Sequence, residues 1–278
     1  EIDIYVVKTN PVGTPIWART YGGAKNDYAV AIKQETSGNL IVAGTTKSFT
    51  TNNNEDYYLL KLNASGNLIW SSTFGTPLNE YCSAINITSA GDYIMVGKNS
   101  PAWNAKDIYA VKVYQAGNIA FDRTYGDTVV GDWANHVTET SDGGFAITGG
   151  EYDPVQGGFH PYILKTDLWG NYLWGTMFYR NPNFGPERSE STSIEETADN
   201  GFVIGCSGIG WFIKTDYTGN SGCGQTTYNV FEDNPTTIVN YTPATQQGTG
   251  LSWGNYSLTI GARAYPNPIC FANAVAET

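Results

Sequence analysis

Leu59-Leu60-Lys61-Leu62-Asn63-Ala64-Ser65-Gly66-Asn67-Leu68-Ile69-Trp70 decides how this chain folds, because it recurs. An earlier copy reads Val6-Val7-Lys8-Thr9-Asn10-Pro11-Val12-Gly13-Thr14-Pro15-Ile16-Trp17. Later copies are Ala110-Val111-Lys112-Val113-Tyr114-Gln115-Ala116-Gly117-Asn118-Ile119-Ala120-Phe121 and Ile163-Leu164-Lys165-Thr166-Asp167-Leu168-Trp169-Gly170-Asn171-Tyr172-Leu173-Trp174. Phe212-Ile213-Lys214-Thr215-Asp216-Tyr217-Thr218-Gly219-Asn220 begins a fifth and then departs. The lysines stand 53, 51, 53 and 49 residues apart. A second block alternates with the first, as in Thr88-Ser89-Ala90-Gly91-Asp92-Tyr93-Ile94-Met95-Val96-Gly97 and Thr140-Ser141-Asp142-Gly143-Gly144-Phe145-Ala146-Ile147-Thr148-Gly149. Both blocks are a β-branched or aromatic run, a Gly/Asn/Asp turn and a second run, which is how an antiparallel strand pair is written.

Each repeat therefore predicts four strands, A to D, such as Tyr28–Thr36, Asn39–Thr45, Tyr57–Asn63 and Asn67–Thr73. Four antiparallel strands in a period of about 50 residues mark an all-β chain built as a β-propeller. Strand A begins at Asp27, Glu80, Asp132 and Glu190, while the N-terminus supplies only C (Ile4–Asn10) and D (Thr14–Tyr21). The fourth D strand is expected within Asn220–Tyr228. Pairing Thr236–Thr242 and Leu251–Ile260 with the N-terminal strands closes the wheel at five blades; the alternative is four blades with a C-terminal appendage. Closure removes an exposed sheet edge. The reading assigns 1–262 to the propeller and 263–278 to a C-terminal tail.

Composition agrees and narrows the function. Of 278 residues, 41% are hydrophobic and 14% aromatic, with 32 glycines, which suits many short strands joined by turns. The net charge of -11 argues against nucleic acid as a partner. The apolar runs are too short to insert in a membrane. Cys82 and Cys206 sit in apolar runs and read as buried thiols; Cys223 and Cys270, in Gly/Asn/Pro-rich sequence, are expected to form a disulfide in an oxidising compartment. No C-x-x-C pair occurs and only His136 and His160 are available, so no structural zinc is expected.

The run Thr140–Gly149, followed by D-x-Y-x-V-K at Asp107–Lys112 and G-N-x-x-W at Gly66–Trp70 and Gly170–Trp174, resembles the repeats of secreted β-propeller proteins common in Bacteroidota and some archaea. The likeness covers roughly residues 1–224. Ala264-Tyr265-Pro266-Asn267-Pro268 is similar to the Y-P-N-P opening of the C-terminal sorting domain used in that group for type IX secretion, with only ten residues after it. The resemblance implies an extracellular or outer-surface location and no single activity.

Candidate residues follow from position in the repeat. The strand C lysines recur in every copy, which assigns them a structural ion pair or hydrogen bond to a neighbouring blade's loop. Trp17, Trp70, Phe121 and Trp174 read as inter-blade core. Asp27, Glu80, Asp132 and Glu190 precede strand A and offer an alternative catalytic set, the carboxylates of a carbohydrate-active hydrolase at a channel mouth; the other reading is hydrogen bonding to loop backbone. The A–B and C–D turns are short and regular, whereas the D–A and B–C connections are long and irregular, and in a propeller those share one face. They carry Phe49, Trp103, Trp133, Tyr152, Asp153, Phe159, His160, Phe184 and Arg188, the residue types of a binding surface. His160 has no serine or cysteine nucleophile placed beside it by any motif. Asn52-Asn53-Asn54-Glu55-Asp56 is oxygen-rich enough for Ca2+, although a solvated turn is the better reading of it. Asp127-Thr128-Val129 resembles a Bacteroidota O-glycosylation triplet, with Thr128 as acceptor. The sequence thus predicts a non-enzymatic binding or assembly module for a protein or glycan at the cell surface, without cofactor. A hydrolase, or a structural segment of a larger surface protein, are the alternatives.

Overall fold

Each repeat folds into one antiparallel sheet, as its valine-, isoleucine- and tyrosine-rich runs and glycine turns require. A computed structural model describes residues 2–50, 53–100, 107–126, 130–153, 158–179, 189–208, 212–222, 224–228, 230–235, 238–241 and 245–248. Among the described residues every regular element is a strand. Sheet I holds β1 (Ile4–Thr9) and β2 (Pro15–Gly22). Sheet II holds β3 (Asp27–Gln34), β4 (Leu40–Thr46), β5 (Asp56–Leu62) and β6 (Leu68–Gly75). Sheet III holds β7 (Asn79–Ile87), β8 (Tyr93–Ser100), β9 (Asp107–Val113) and β10 (Ile119–Gly126). Sheet IV holds β11 (Asp132–Glu139), β12 (Phe145–Asp153), β13 (Gly158–Thr166) and β14 (Tyr172–Phe178). Sheet V holds β15 (Ser191–Glu196), β16 (Phe202–Cys206) and β17 (Phe212–Thr215).

The sheets stack face to face in chain order. Alternation along β4 and β5 sends Val42, Tyr58, Leu60 and Leu62 towards Ile4, Val6 and Tyr21 of sheet I. Their neighbours Ile41, Ala43, Tyr57 and Leu59 face Cys82, Ile85, Met95 and Tyr109 of sheet III. Similar cores join III to IV and IV to V. One contact recurs at the junctions: the strand D aromatic lies over the C–D turn glycine of the next sheet. A Cβ on Gly66, Gly170 or Gly219 would stand 2.9, 2.6 or 2.4 Å from Trp17, Phe121 or Trp174. These glycines also have φ of 76°, 79° and 80°, so turn and packing both demand glycine.

The C-terminal stretch departs from expectation. Segment 236–242 contains β20 (Ile238–Tyr241), which pairs with β6 of sheet II, not with the N-terminal strands. The stretch Asn220–Tyr228 contains β18 (Gln225–Thr227), which joins β14 of sheet IV and is no fourth strand of sheet V. With β19 (Phe231–Asp233) on β10 and β21 (Thr245–Gly248) on β2, these short strands form a strap running from sheet IV back to sheet I. The physical reason is the outermost strand of each repeat, whose unpaired N–H and C=O groups accept a further strand. Glu232 pins the strap: its carboxylate accepts from Arg123 Nε (2.9 Å) and from the Tyr172 backbone N–H (2.7 Å). Leu251–Ile260 lies outside the described residues.

The lysines are also placed otherwise than expected. Lys61, Lys165 and Lys214 pair with Glu35, Asp142 and Asp199, each in the A–B turn of its own sheet. A four-carbon stem reaches the adjacent turn more directly than the next sheet. Lys8 does cross, donating to the Ala64 carbonyl at 3.2 Å, and Lys112 lies over the Phe145 ring of sheet IV.

Candidate functional site

Three positions meet at the same end of every junction: the start of strand C, the end of strand D, and the acid opening the next strand A. At the first three junctions they are Asp3/Gly22/Asp27, Asp56/Gly75/Glu80 and Asp107/Gly126/Asp132. A Cβ on the central glycine would lie 2.2 Å from Asp3 and 2.7 Å from Asp27, 2.4 Å from Asp56 and 2.7 Å from Glu80, or 2.3 Å from Asp107 and 3.1 Å from Asp132. Two carboxyl groups therefore close on each glycine, and no other residue fits between them. Asp27 accepts from the Gly23 backbone (2.9 Å), from Ser48 Oγ (2.7 Å) and from Thr46 Oγ1; Glu80 accepts from the Thr76 backbone (3.1 Å) and from Thr76 Oγ1. Asp27, Glu80 and Asp132 are all buried. Asn54 of the oxygen-rich run is tied into the same junction, its amide nitrogen donating to Asp56 (2.7 Å) and to the Thr76 carbonyl (3.0 Å); Asn52 lies outside the described residues.

The fourth junction, between sheets IV and V, breaks this rule. His160 stands where the others have aspartate and Tyr179 where they have glycine, and the two rings meet at 4.5 Å. The acid is Glu190. Its Oε2 accepts from Trp133 Nε1 (2.5 Å) and from Asn135 Nδ2 (3.1 Å), and Asn135 also donates to the Ser191 carbonyl (2.9 Å). Phe159 packs edge-on against Trp133 at 5.2 Å and against Tyr152 at 5.6 Å.

Local sequence explains how these rings come together. The expected irregular loop 150–161 is largely a hairpin, with Glu151 paired to His160, Tyr152 to Phe159 and Asp153 to Gly158, so strands β12 and β13 project past the sheet. Alternation along β13 turns His160 inward and Phe159 outward. Gly150 replaces the Thr45 and Lys98 of other repeats because a Cβ there would stand 2.5 Å from the Trp133 ring. Tyr152 and Phe159 remain 41% and 36% exposed, while His160 is buried.

Of the residues singled out in the sequence, the structure gathers Trp133, Tyr152, Phe159, His160 and Glu190 here. Asp153 is placed here by its backbone alone. Phe49 is elsewhere, against Tyr58 at the first junction. Trp103, Phe184, Arg188, Thr128, Cys223 and Cys270 lie outside the described residues. Cys82 is buried as expected, and burial pushes its thiol up to about 12, whereas Cys206 is only half-buried, at the end of β16. Asn135, Gly150 and Tyr179 were missed by sequence reasoning; aligning the repeats position by position would have found the last two, as departures from Thr/Lys and from glycine. Neither a family model nor a curated protein matches the chain.

Proposed function

We propose that the five sheets are blades of a β-propeller and that the chain is a non-enzymatic binding module at the cell surface. Contacts run through the end of the sheets that carries the D–A and B–C connections. What supports the wheel is the recurrence of one packing relation at successive junctions. The outward faces of the two end sheets support it as well: Tyr5 on sheet I and Phe212 on sheet V are 51% and 64% exposed, as faces that close on one another would be when left apart.

The observation that carries the binding reading is the fourth junction. A repeat keeps its carboxyl–glycine–carboxyl arrangement for packing, and the one junction that abandons it sets two half-open aromatic rings on a projecting hairpin. Rings that present both an apolar face and a nearby carboxylate and amide suit a glycan, with the sugar's C–H face on Phe159 and Tyr152. The acids Asp27, Glu80 and Asp132 are buried, and Asp27 and Glu80 are engaged by threonine, serine and backbone donors, which supports binding over hydrolysis.

The test is an array of surface polysaccharides, followed by calorimetry on the glycans retained. Tyr152→Ala with Phe159→Ala is expected to weaken binding about 30-fold, the loss typical of a central aromatic anchor, with a Tm lowered but the fold kept, since both rings are partly packed. Undiminished affinity in that double variant would place the contact elsewhere.

A further inference from the structure

Asp56 and Glu80 bring their carboxyl groups together over Gly75 across the junction of sheets II and III. Two buried carboxyl groups this close repel when both are ionised, and can hydrogen bond to each other only when one of them carries a proton, because an ionised carboxylate is an acceptor alone. Their other partners are donors: Asn54 Nδ2 on Asp56, and the Thr76 N–H and Oγ1 on Glu80. Gly75 lets both oxygens approach one point, within 2.4 and 2.7 Å of where its Cβ would be. Among the described residues no lysine or arginine pairs with either acid.

We propose that Asp56 and Glu80 hold one proton between them and form a pH-sensitive clip between sheets II and III, closed below neutral pH and forced apart above it. The clip joins the start of β5 to β7, so it sits at the same end of the sheets as the long connections. Asp3/Asp27 and Asp107/Asp132 frame their glycines in the same way. Burial first, and then the charge of Glu80, raises Asp56 to about 7; burial likewise raises Glu80 to about 7. The pair titrates as a unit. Around it, Tyr57 and Tyr81 feel the Glu80 charge, Cys82 lies against Tyr57, and Glu55 accepts from Tyr81. Burial keeps Tyr57, Tyr81 and Cys82 protonated through the neutral range.

The sign follows from where the proton binds. Both acids hold it more tightly folded than unfolded, so their contribution to stability is complete below the ordinary carboxylate range and is lost as pH rises through about 7.

Thermal unfolding of the full chain tests this at about pH 5 and about pH 8. The wild-type Tm is expected to be lower at the higher pH by about 5 °C. Glu80→Gln places an amide donor where the proton was, and is expected to remove most of that difference while keeping the Tm near pH 5. Asp56→Asn is the second variant, should the first not fold. Infrared difference spectra supply a readout that packing alone would not move: the C=O stretch of a neutral carboxylic acid, present in the wild type near neutral pH and lost in either variant. A Tm indifferent to pH, a pH difference kept in full by both amide variants, or no neutral carboxylic acid in the wild type would each overturn the proposal.

Discussion

Gly97→Ala is expected to cost roughly 3 kcal/mol and to lower Tm by roughly 10 °C. Strand β7 carries an extra residue relative to β8, with the register shifting between Cys82 and Ala84. That bulge drives the Tyr81 carbonyl into the backbone of β8, where a Cβ on Gly97 would meet its oxygen at 1.9 Å. The Tyr57 hydroxyl, which donates to the Tyr109 carbonyl at 2.8 Å, would stand 2.7 Å from the same atom. Neither neighbour can yield, one being backbone and the other a buried hydrogen-bonded ring. Gly44 and Gly149 meet the Tyr28 and Trp133 carbonyls in the same way, also at 1.9 Å. Gly205 is the internal control: its nearest neighbour is the Ser193 hydroxyl at 2.7 Å, a side chain that can rotate. Urea unfolding of Gly97→Ala beside Gly205→Ala checks the account, and equal losses would refute it.

Lys61→Met is the second large effect, again roughly 3 kcal/mol, because it strands a buried charge. Lys61 and Glu35 are only 11% and 10% exposed and lie 2.8 Å apart. Lys61 also donates to the Tyr93 hydroxyl at 2.9 Å, and Tyr93 in turn donates to Glu35. Burial by itself would push the Glu35 carboxyl up; the hydrogen bonds from Lys61, Tyr93, Ser37 and Asn39 outweigh it and hold the group down at about 2. A depressed acid contributes stability that is present above the ordinary carboxylate range and lost as pH falls through about 2. The wild type should therefore lose stability on acidification below about pH 4.5, and Lys61→Met should lose less over that interval while starting from a lower Tm. Lys61→Met combined with Glu35→Gln should recover most of the loss, since no unpaired charge then remains. Lys214→Met removes the same contact at an exposed site, with side chains 41% and 65% exposed, and should leave the Tm nearly unchanged.

Much of this was legible in the repeat. The strands lie within a few residues of where alternation and glycine turns placed them. Gly13, Gly66, Gly117, Gly170 and Gly219 all have positive φ, because a tight turn is decided by the residues within it. The aromatic at the start of strand D was legible as core for a similar reason: its place recurs, so its environment must. The strap was not. Its strands are three or four residues long with little apolar alternation, and they pair only because an outer edge happens to be bare nearby. The lysine partners were misjudged because two acceptors lay within reach of one flexible stem. The projecting hairpin at 150–161 was read as loop because its glycines and proline disguise a ladder that continues past the sheet.

The order of residues alone determined an all-β chain of about fifty-residue units, four strands to the complete unit, with the turns and the strand D aromatics assigned. These depend on neighbours along the chain, and so on propensity and period. Only the tertiary structure decided which acids share a glycine, that His160 lies on Tyr179, and where the described residues beyond Asn220 run. Those pairings join side chains that sequence separates by tens of residues, and nothing short of the packed arrangement of sheets sets the distances on which a shared proton or an aromatic contact depends.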